Sequence, residues 1–336
     1  MSVKQRINYM GSKYSLLEYI HEKVIKIGDL DNKIFCDIFG GTHIVGNFFK
    51  DKVKNVISND IEYYSYVIAN NYIKNNDIII INERLNELNN LVGIEGPFYN
   101  YFCEGGSSNR LFFSSENGKK MDAIRQKIEK WKIDNLIKDN EYYYLLTSLI
   151  EATDKVANTT SVYGAFLKKI KKSASKTMVL LEPEYKIVYG QDNSVYNEDS
   201  NELIKKINGD ILYIDPPYNQ RQYGSNYHIL NAIAKYDFTV EPRGITGQMD
   251  YNKSKYSSKR EVLSTFAELV ENANFQHIFI SYNNEGIMSE KEIMNILSLH
   301  GDAIKYEQEY KTYKADINRN NKSTNTIEFL FYLRKK

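Results

Sequence analysis

Apolar positions along the first eighty residues alternate between two spacings. "YSLLEYIHEKVIKIG" places them three and four apart and stops at Gly28, which predicts an amphipathic helix. "KIFCDIFGG" is a short unbroken apolar run ended by glycines, "VGNFFKDK" returns to helical spacing, and "NVISNDIE" is a second short run. Strand, turn, helix and strand in that order make a βαβ unit. Runs apolar on both faces suit a parallel sheet covered by helices, so the pattern predicts an α/β fold.

Between Arg84 and Leu181 the pattern becomes helical. "GKKMDAIRQKIEKWKIDNLIKD", "NEYYYLLTSLIEATDKVA" and "YGAFLKKIKKSASK" all read as helices, interrupted by the polar piece "EGGSSNR". Short apolar runs then return. "YKIVYGQDN", "DILYIDPPY" and "HIFISYNNEG" read as strands, "NELIKKING" and "REVLSTFAELVENA" as helices. The final stretch reads as two β-rich runs around a polar loop, a hairpin. The expected organisation is one α/β domain from residues 1–84 and 182–336, with residues 85–181 inserted as a helical domain.

Charge sharpens this division. The chain of 336 residues nets only +1, yet Arg110 to Leu181 holds 14 Lys/Arg against 8 Asp/Glu, leaving −5 for the remainder. A basic, Tyr-studded helical insertion is a candidate surface for a polyanion, the competing reading being a solvated helical cap. Two cysteines, Cys36 and Cys103, are too few for a disulfide framework, and no Cys/His spacing suits a metal, so none is expected. No leader-like or membrane-length apolar run is present, and a cytoplasmic protein without membrane contact is the expectation.

The candidate chemistry lies in "ILYIDPPYNQRQYGSNYH". Two of the five prolines stand together after four apolar residues, with Asp215 before them and Tyr218 after. Pro216 and Pro217 lack amide hydrogens and fix φ, so they end the strand and hold the chain extended just past the sheet's carboxyl edge. Ligands bind at that edge in open parallel sheets. The Asp215 carboxylate and the Pro216 carbonyl offer two acceptors beside an aromatic face, an arrangement fit for a planar amine. An exocyclic amino group on a base is a weak nucleophile because its lone pair is delocalised into the ring. Two acceptors on its hydrogens localise that pair, and Tyr218 stacks on the base.

These four residues resemble the DPPY motif of the amino-group DNA methyltransferases, which use S-adenosylmethionine (SAM). "NYMGSKYSLL" resembles the family's N-terminal cofactor motif, matched by Tyr9, Gly11, Ser12 and Lys13. "FCDIFGGTHIVG" resembles its SAM-binding turn, with Asp37 for the methionine ammonium and Phe39, Gly40, Gly41 and Thr42 around the cofactor. It departs from the commoner acid-x-Phe-x-Gly-x-Gly form because Thr42 and His43 follow Gly41. In "VISNDIE", Asp60 and Ile61 stand where an acid holds the ribose hydroxyls, an N-cap being the alternative for Asp60. In "IVYGQDNS", Asp192 and Asn193 fall near the cofactor's adenine by resemblance, with an Asx-turn as alternative.

The order of these pieces, with the insertion before DPPY, resembles the Dam-type (alpha-group) DNA adenine-N6 methyltransferases. That resemblance implies a Rossmann-like class I SAM-dependent methyltransferase sheet with a helical target-recognition insertion at 85–181, acting on an adenine flipped out of double-stranded DNA. Lys168, Lys169, Lys171, Lys172 and Arg221 are then candidate phosphate contacts. Tyr223 would wedge or stack, or else cover the core edge, and Tyr313 or Tyr310 would sandwich the base. A cognate restriction endonuclease is a possible partner in such systems. Cytosine N4, RNA adenine or protein glutamine as acceptor, and a silent DNA-binding relative, stay open on the residues alone.

Overall fold

The computed structural model describes residues 6–311 and 325–336. Its backbone divides into two compact units, one containing 13–61, 190–223, 253–311 and 325–336, the other 6–12, 62–189 and 224–252. The helical unit is therefore larger than the insertion expected at 85–181, taking in segments from both flanks.

The first unit holds a seven-stranded sheet. Its strands are β1 (Ile34–Asp37), β2 (Asn55–Asn59), β3 (Ser194–Tyr196), β4 (Asn208–Ile214), β5 (Asn274–Asn283), β6 (Gly301–Lys311) and β7 (Asn325–Lys335). They lie in the order β3-β2-β1-β4-β5-β7-β6. β1 to β5 pair in parallel, while β7 runs antiparallel between β5 and β6. Register sets Cys36 beside Leu212 and Ile280 beside Phe331. Consecutive residues Phe35 and Cys36, and Ile211 and Leu212, are all fully buried, as expected of strands covered on both faces.

Helices Leu17–Val24, Ile44–Phe49, Val262–Asn272 and Glu290–Ser298 belong to this unit. The first buries Leu17, Ile20 and Val24 at helical spacing and is released at Gly28, whose φ of 111° ends the following turn. The last begins with a capping box, in which Ser289 Oγ accepts the Glu292 N–H and the Glu292 carboxylate accepts the Ser289 N–H. The strand order reverses between β1 and β4. Their carboxyl ends thus diverge into connections on opposite sides, leaving the crevice where α/β sheets bind ligands.

The second unit is built on helices Tyr63–Ala69, Asn82–Asn89, Pro97–Phe102, Ser115–Ile133, Asp139–Lys155 and His228–Lys235. Its core includes Phe98, Phe102, Phe112, Ile124, Leu145, Leu149 and Ile233, all fully buried. Buried polar groups tie off the helix ends. The Asp122 carboxylate accepts the Phe98 and Tyr99 N–H groups at one helix start, and the Arg125 guanidinium donates to the Ile233 and Ala234 carbonyls at another helix end. Among the described residues no helix is long and apolar enough to cross a membrane.

Three expectations are corrected. "YGAFLKKIKKSASK" forms turns and extended backbone instead of a helix. The reason is two buried asparagines that compete for its backbone. Asn158 bonds the Leu167 carbonyl and the Lys171 N–H, and Asn117 bonds the Ala174 and Lys176 carbonyls and the Met178 N–H. "YKIVYGQDN" is not a strand. The Asn76 side chain accepts the Val188 N–H, and Gln191 donates to the Lys50 and Val53 carbonyls, so ladder pairing starts only at Ser194. "NELIKKING" yields only the short helix Ser200–Leu203. Conversely, the helix His228–Lys235 and the π-turn Asn70–Lys74 were not anticipated by the pattern.

Candidate active site

At the end of β4, Asp215 leaves the ladder as the chain meets Pro216, which is buried, and Pro217. The Asp215 side chain keeps 20% of its surface exposed, and its Oδ1 lies 2.9 Å from Lys13 Nζ. Lys13 is itself buried, and its Nζ also stands 3.4 Å from Glu328 Oε1 on β7. Glu328 is 2% exposed and accepts a hydrogen bond from Ser281 Oγ on β5 at 2.6 Å. One cation is thus shared by two carboxylates. Burial pushes the Asp215 carboxyl up to about 6, Lys13 pulling it down and Glu328 pushing it further up. For Lys13 burial favours the neutral amine, but the two carboxylates outweigh it and hold the ammonium well above the ordinary lysine range. Tyr218 is half-buried against the sheet's core, and its carbonyl accepts the Ile287 N–H at 2.9 Å.

At the neighbouring end of β1, Asp37 is 1% exposed and its Oδ2 accepts the Gly46 N–H at 3.1 Å. Burial pushes this carboxyl up to about 7 despite that bond, with Asp215 and Asp60 adding repulsion. Gly41 has φ 56°, and its N–H donates to Asp60 Oδ2 at 2.8 Å, tying the glycine turn to the end of β2. Gly40 approaches closely: a Cβ there would stand 2.2 Å from His43 Nδ1. His43 is fully buried, adopts φ 56° and has Nδ1 2.7 Å from Ser58 Oγ. It occupies the last glycine position of the acid-x-Phe-x-Gly-x-Gly form. The left-handed backbone explains why glycine is usual there, and the bond to Ser58 explains how histidine is tolerated.

The sheet unit therefore brings together Lys13, Asp37, Gly40, Gly41, Asp60 and Asp215, with half-buried Phe39, Thr42 and Ile61 in the same connections. Asp60 serves the glycine turn, not as an N-cap: the helix Tyr63–Ala69 starts at Glu62 without a side-chain cap. Asn193 is buried with Oδ1 accepting the Val56 N–H at 2.7 Å, so its side chain is committed to joining β2 and β3, whereas Asp192 is exposed. Tyr9, Gly11 and Ser12 belong to the helical unit. There Tyr9 stacks on Tyr227 at 4.9 Å, the Met10 N–H donates to the Tyr227 hydroxyl at 2.7 Å, and Asn8 donates twice to buried Asp154.

Lys168, Lys169 and Lys172 are exposed, while Lys171 is half-buried and donates to the Thr159 carbonyl. Much of the positive charge counted in the sequence is spent internally, as in the Lys119–Glu95, Lys127–Glu87 and Lys130–Asp134 pairs. Arg110 donates to the carbonyls of Tyr101, Pro242, Gly244 and Ile245. Arg221 is exposed and Tyr223 half-buried. Tyr313 lies outside the described residues. The pattern reading missed Glu328, Ser281, His43 and Asp154. The signal for Glu328 was available, since it is the one acid within "TIEFLFYL", a run otherwise suited to burial on both faces.

The geometry agrees with comparison to known sequences. The family model of the D12 class N6 adenine-specific DNA methyltransferases matches residues 9–296. This chain belongs to that family. It is thus a SAM-dependent enzyme that methylates adenine in DNA. Among relatives, it is 49% identical to the type II methyltransferase M.NlaIII of Neisseria lactamica, over 98% of this chain and 99% of that one. It is 40% identical to modification methylase StsI of Streptococcus sanguinis and to the type II methyltransferase M.FokI of Planomicrobium okeanokoites, over 98% of this chain. It spans about half the length of those two, 52% and 53%. The residues at these strand ends fit the cofactor: a buried acid whose proton is held near pH 7 suits an ammonium, and a glycine turn packed on His43 without room for a Cβ leaves its backbone open to a ligand.

Proposed function

We propose that this DNA adenine methyltransferase uses Asp215 and the Pro216 carbonyl as paired acceptors for the N6 amino group of an adenine flipped out of duplex DNA, with Tyr218 stacked on the base. Bound SAM supplies a sulfonium-activated methyl carbon. Asp37 would pair with its ammonium, the turn at Gly40 and Gly41 would pass beside it, and Asp60 would hold its ribose hydroxyls. Asp215 Oδ1 is occupied by Lys13, which leaves the other oxygen for the amine and fixes the direction in which it points. As the nitrogen gains a methyl group it becomes acidic, and a carboxylate with a pKa near 6 can take the released proton at neutral pH. No covalent bond to the enzyme is formed, so buried Cys36 and Cys103, whose thiols burial holds well above the usual range, have no nucleophilic task.

We assign DNA contact to the helical unit, with Lys168, Lys169 and Lys172 on phosphates, and we extend to this chain the modification role that its relatives' names carry, alongside a cognate endonuclease. The observation that carries the catalytic reading is Asp215, mostly buried but still reaching the surface, fixed at the sheet's switch point by a buried lysine. Asp215→Ala tests it. Turnover on adenine-containing duplex DNA should fall at least a thousandfold, while SAM affinity measured by calorimetry stays within about threefold. A parallel loss of binding and turnover would refute the assignment of Asp215 to the amine.

A further inference from the structure

We propose that Glu328 is a positioning residue for methyl transfer: through the ammonium it shares with Asp215, it keeps the catalytic carboxylate basic enough to accept the amine's protons. The inference rests on the reading of Asp215 as the catalytic acceptor, and concerns how that acceptor is tuned.

A carboxylate paired alone with a lysine is a weak base, because the adjacent cation stabilises its charge and lowers its proton affinity. Here the cation is divided. Lys13 Nζ stands 2.9 Å from Asp215 Oδ1 and 3.4 Å from Glu328 Oε1, and all three groups are largely withdrawn from water. Glu328 does not wander, because Ser281 Oγ on the neighbouring strand donates to the same Oε1 that faces the lysine. The cluster of two acids and one base carries a net negative charge. Among the described residues, the groups that act electrostatically on it include Tyr213 on β4, Asp37 on β1 and Tyr19 on the helix Leu17–Val24. None of these adds a second cation. Asp215 accordingly sits above the ordinary aspartate range even with an ammonium at hydrogen-bond distance, and Glu328 is among the causes. An acid in the middle of a sheet, on a strand with no substrate role assigned, has a reason to be there.

The test is the pH profile of the single-turnover rate on duplex DNA, which isolates chemistry from product release. Asp215 must be ionised to accept, so the rate falls tenfold per pH unit below its pKa. Glu328→Gln keeps the shape and the Ser281 contact but removes the charge. It should move the acid limb down by about one pH unit and lower the plateau about threefold, as a weaker base accepts less well. Lys13→Met should move the limb up, and the double variant should return it toward the parent position. If Glu328→Gln does not fold, Ser281→Ala, which frees the glutamate from the lysine, should move the limb in the same downward direction by a smaller step. A limb that stays in place or rises on losing Glu328 or its tether overturns the proposal. Asp215→Asn distinguishes the two levels: if it retains turnover, the catalytic reading itself fails, whereas a dead Asp215→Asn with an unmoved Glu328→Gln limb sinks only the tuning role.

Discussion

Asp37 offers the sharpest quantitative prediction. It is 1% exposed, receives one N–H from Gly46, and burial holds its carboxyl near 7 when the ordinary value is 3.8. That displacement corresponds to roughly 4 kcal/mol opposing ionisation in the free protein. If Asp37 pairs with the ammonium of SAM, only the ionised form binds well. The ionised fraction rises from about a tenth at pH 6 to about three-quarters at pH 7.5, so SAM affinity should increase about eightfold across that interval. Binding at pH 6.5 should also release roughly three-quarters of a proton. Isothermal titration in two buffers of different ionisation enthalpy measures both quantities. Asp37→Asn, which can still accept from Gly46, should abolish the pH dependence and weaken binding about 10- to 100-fold at pH 7.5, the worth of a charge-assisted bond. Asp215→Asn should leave the pH dependence intact. Affinity that is flat in pH for the parent protein, or equally steep in Asp37→Asn, would refute the pairing.

Other perturbations bear on the remaining parts. Gly40→Ala forces a methyl group onto His43, whose ring is fixed by Ser58, and should cost about 1–3 kcal/mol in a denaturant titration and weaken SAM binding; an unchanged midpoint would contradict the close approach. Asp154 is held up to about 6 by burial, so the folded protein keeps a proton that the unfolded chain releases between about pH 4 and 6, and stability falls as pH rises through that window. Asp154→Asn should remove a slope worth about 2.5 kcal/mol between urea melts at pH 4 and pH 8, and an unaltered slope would place the titration elsewhere. Replacing Lys168, Lys169 and Lys172 with Gln should flatten the salt dependence of DNA affinity by up to about three in logarithmic slope, whereas Lys171→Gln, which loses a bond to the Thr159 carbonyl, should chiefly lower stability. A preserved slope in the triple variant would return those lysines to solvated surface.

The sheet was legible because its strands obey one rule: Phe35 with Cys36 and Ile211 with Leu212 are apolar in succession, which only a strand covered on both faces tolerates. The corner at Asp215 was equally legible, since paired prolines constrain backbone whatever surrounds them. Failures came where distant side chains decide local backbone. Lys168 to Ser175 has the composition of a helix, but Asn158 and Asn117, from distant positions, take its carbonyls and amides. Asn193 carries a structural task that its sequence position does not show, its Oδ1 accepting the Val56 N–H. Charge counted along a chain likewise does not reveal where a side chain is held: the Arg110 guanidinium is fixed by four carbonyls. Glu328 was missed because it acquires meaning only beside Lys13, 315 positions away in the chain.

The placement of β7 also fixes the order in which the sheet can be completed during synthesis. It enters the sheet between two strands that leave the ribosome earlier, so β5 waits with an open edge until residues 325–335 emerge. The same segment delivers Glu328 beside Lys13. A chain lacking it would leave the edge of β5 open and Lys13 beside Asp215 without Glu328.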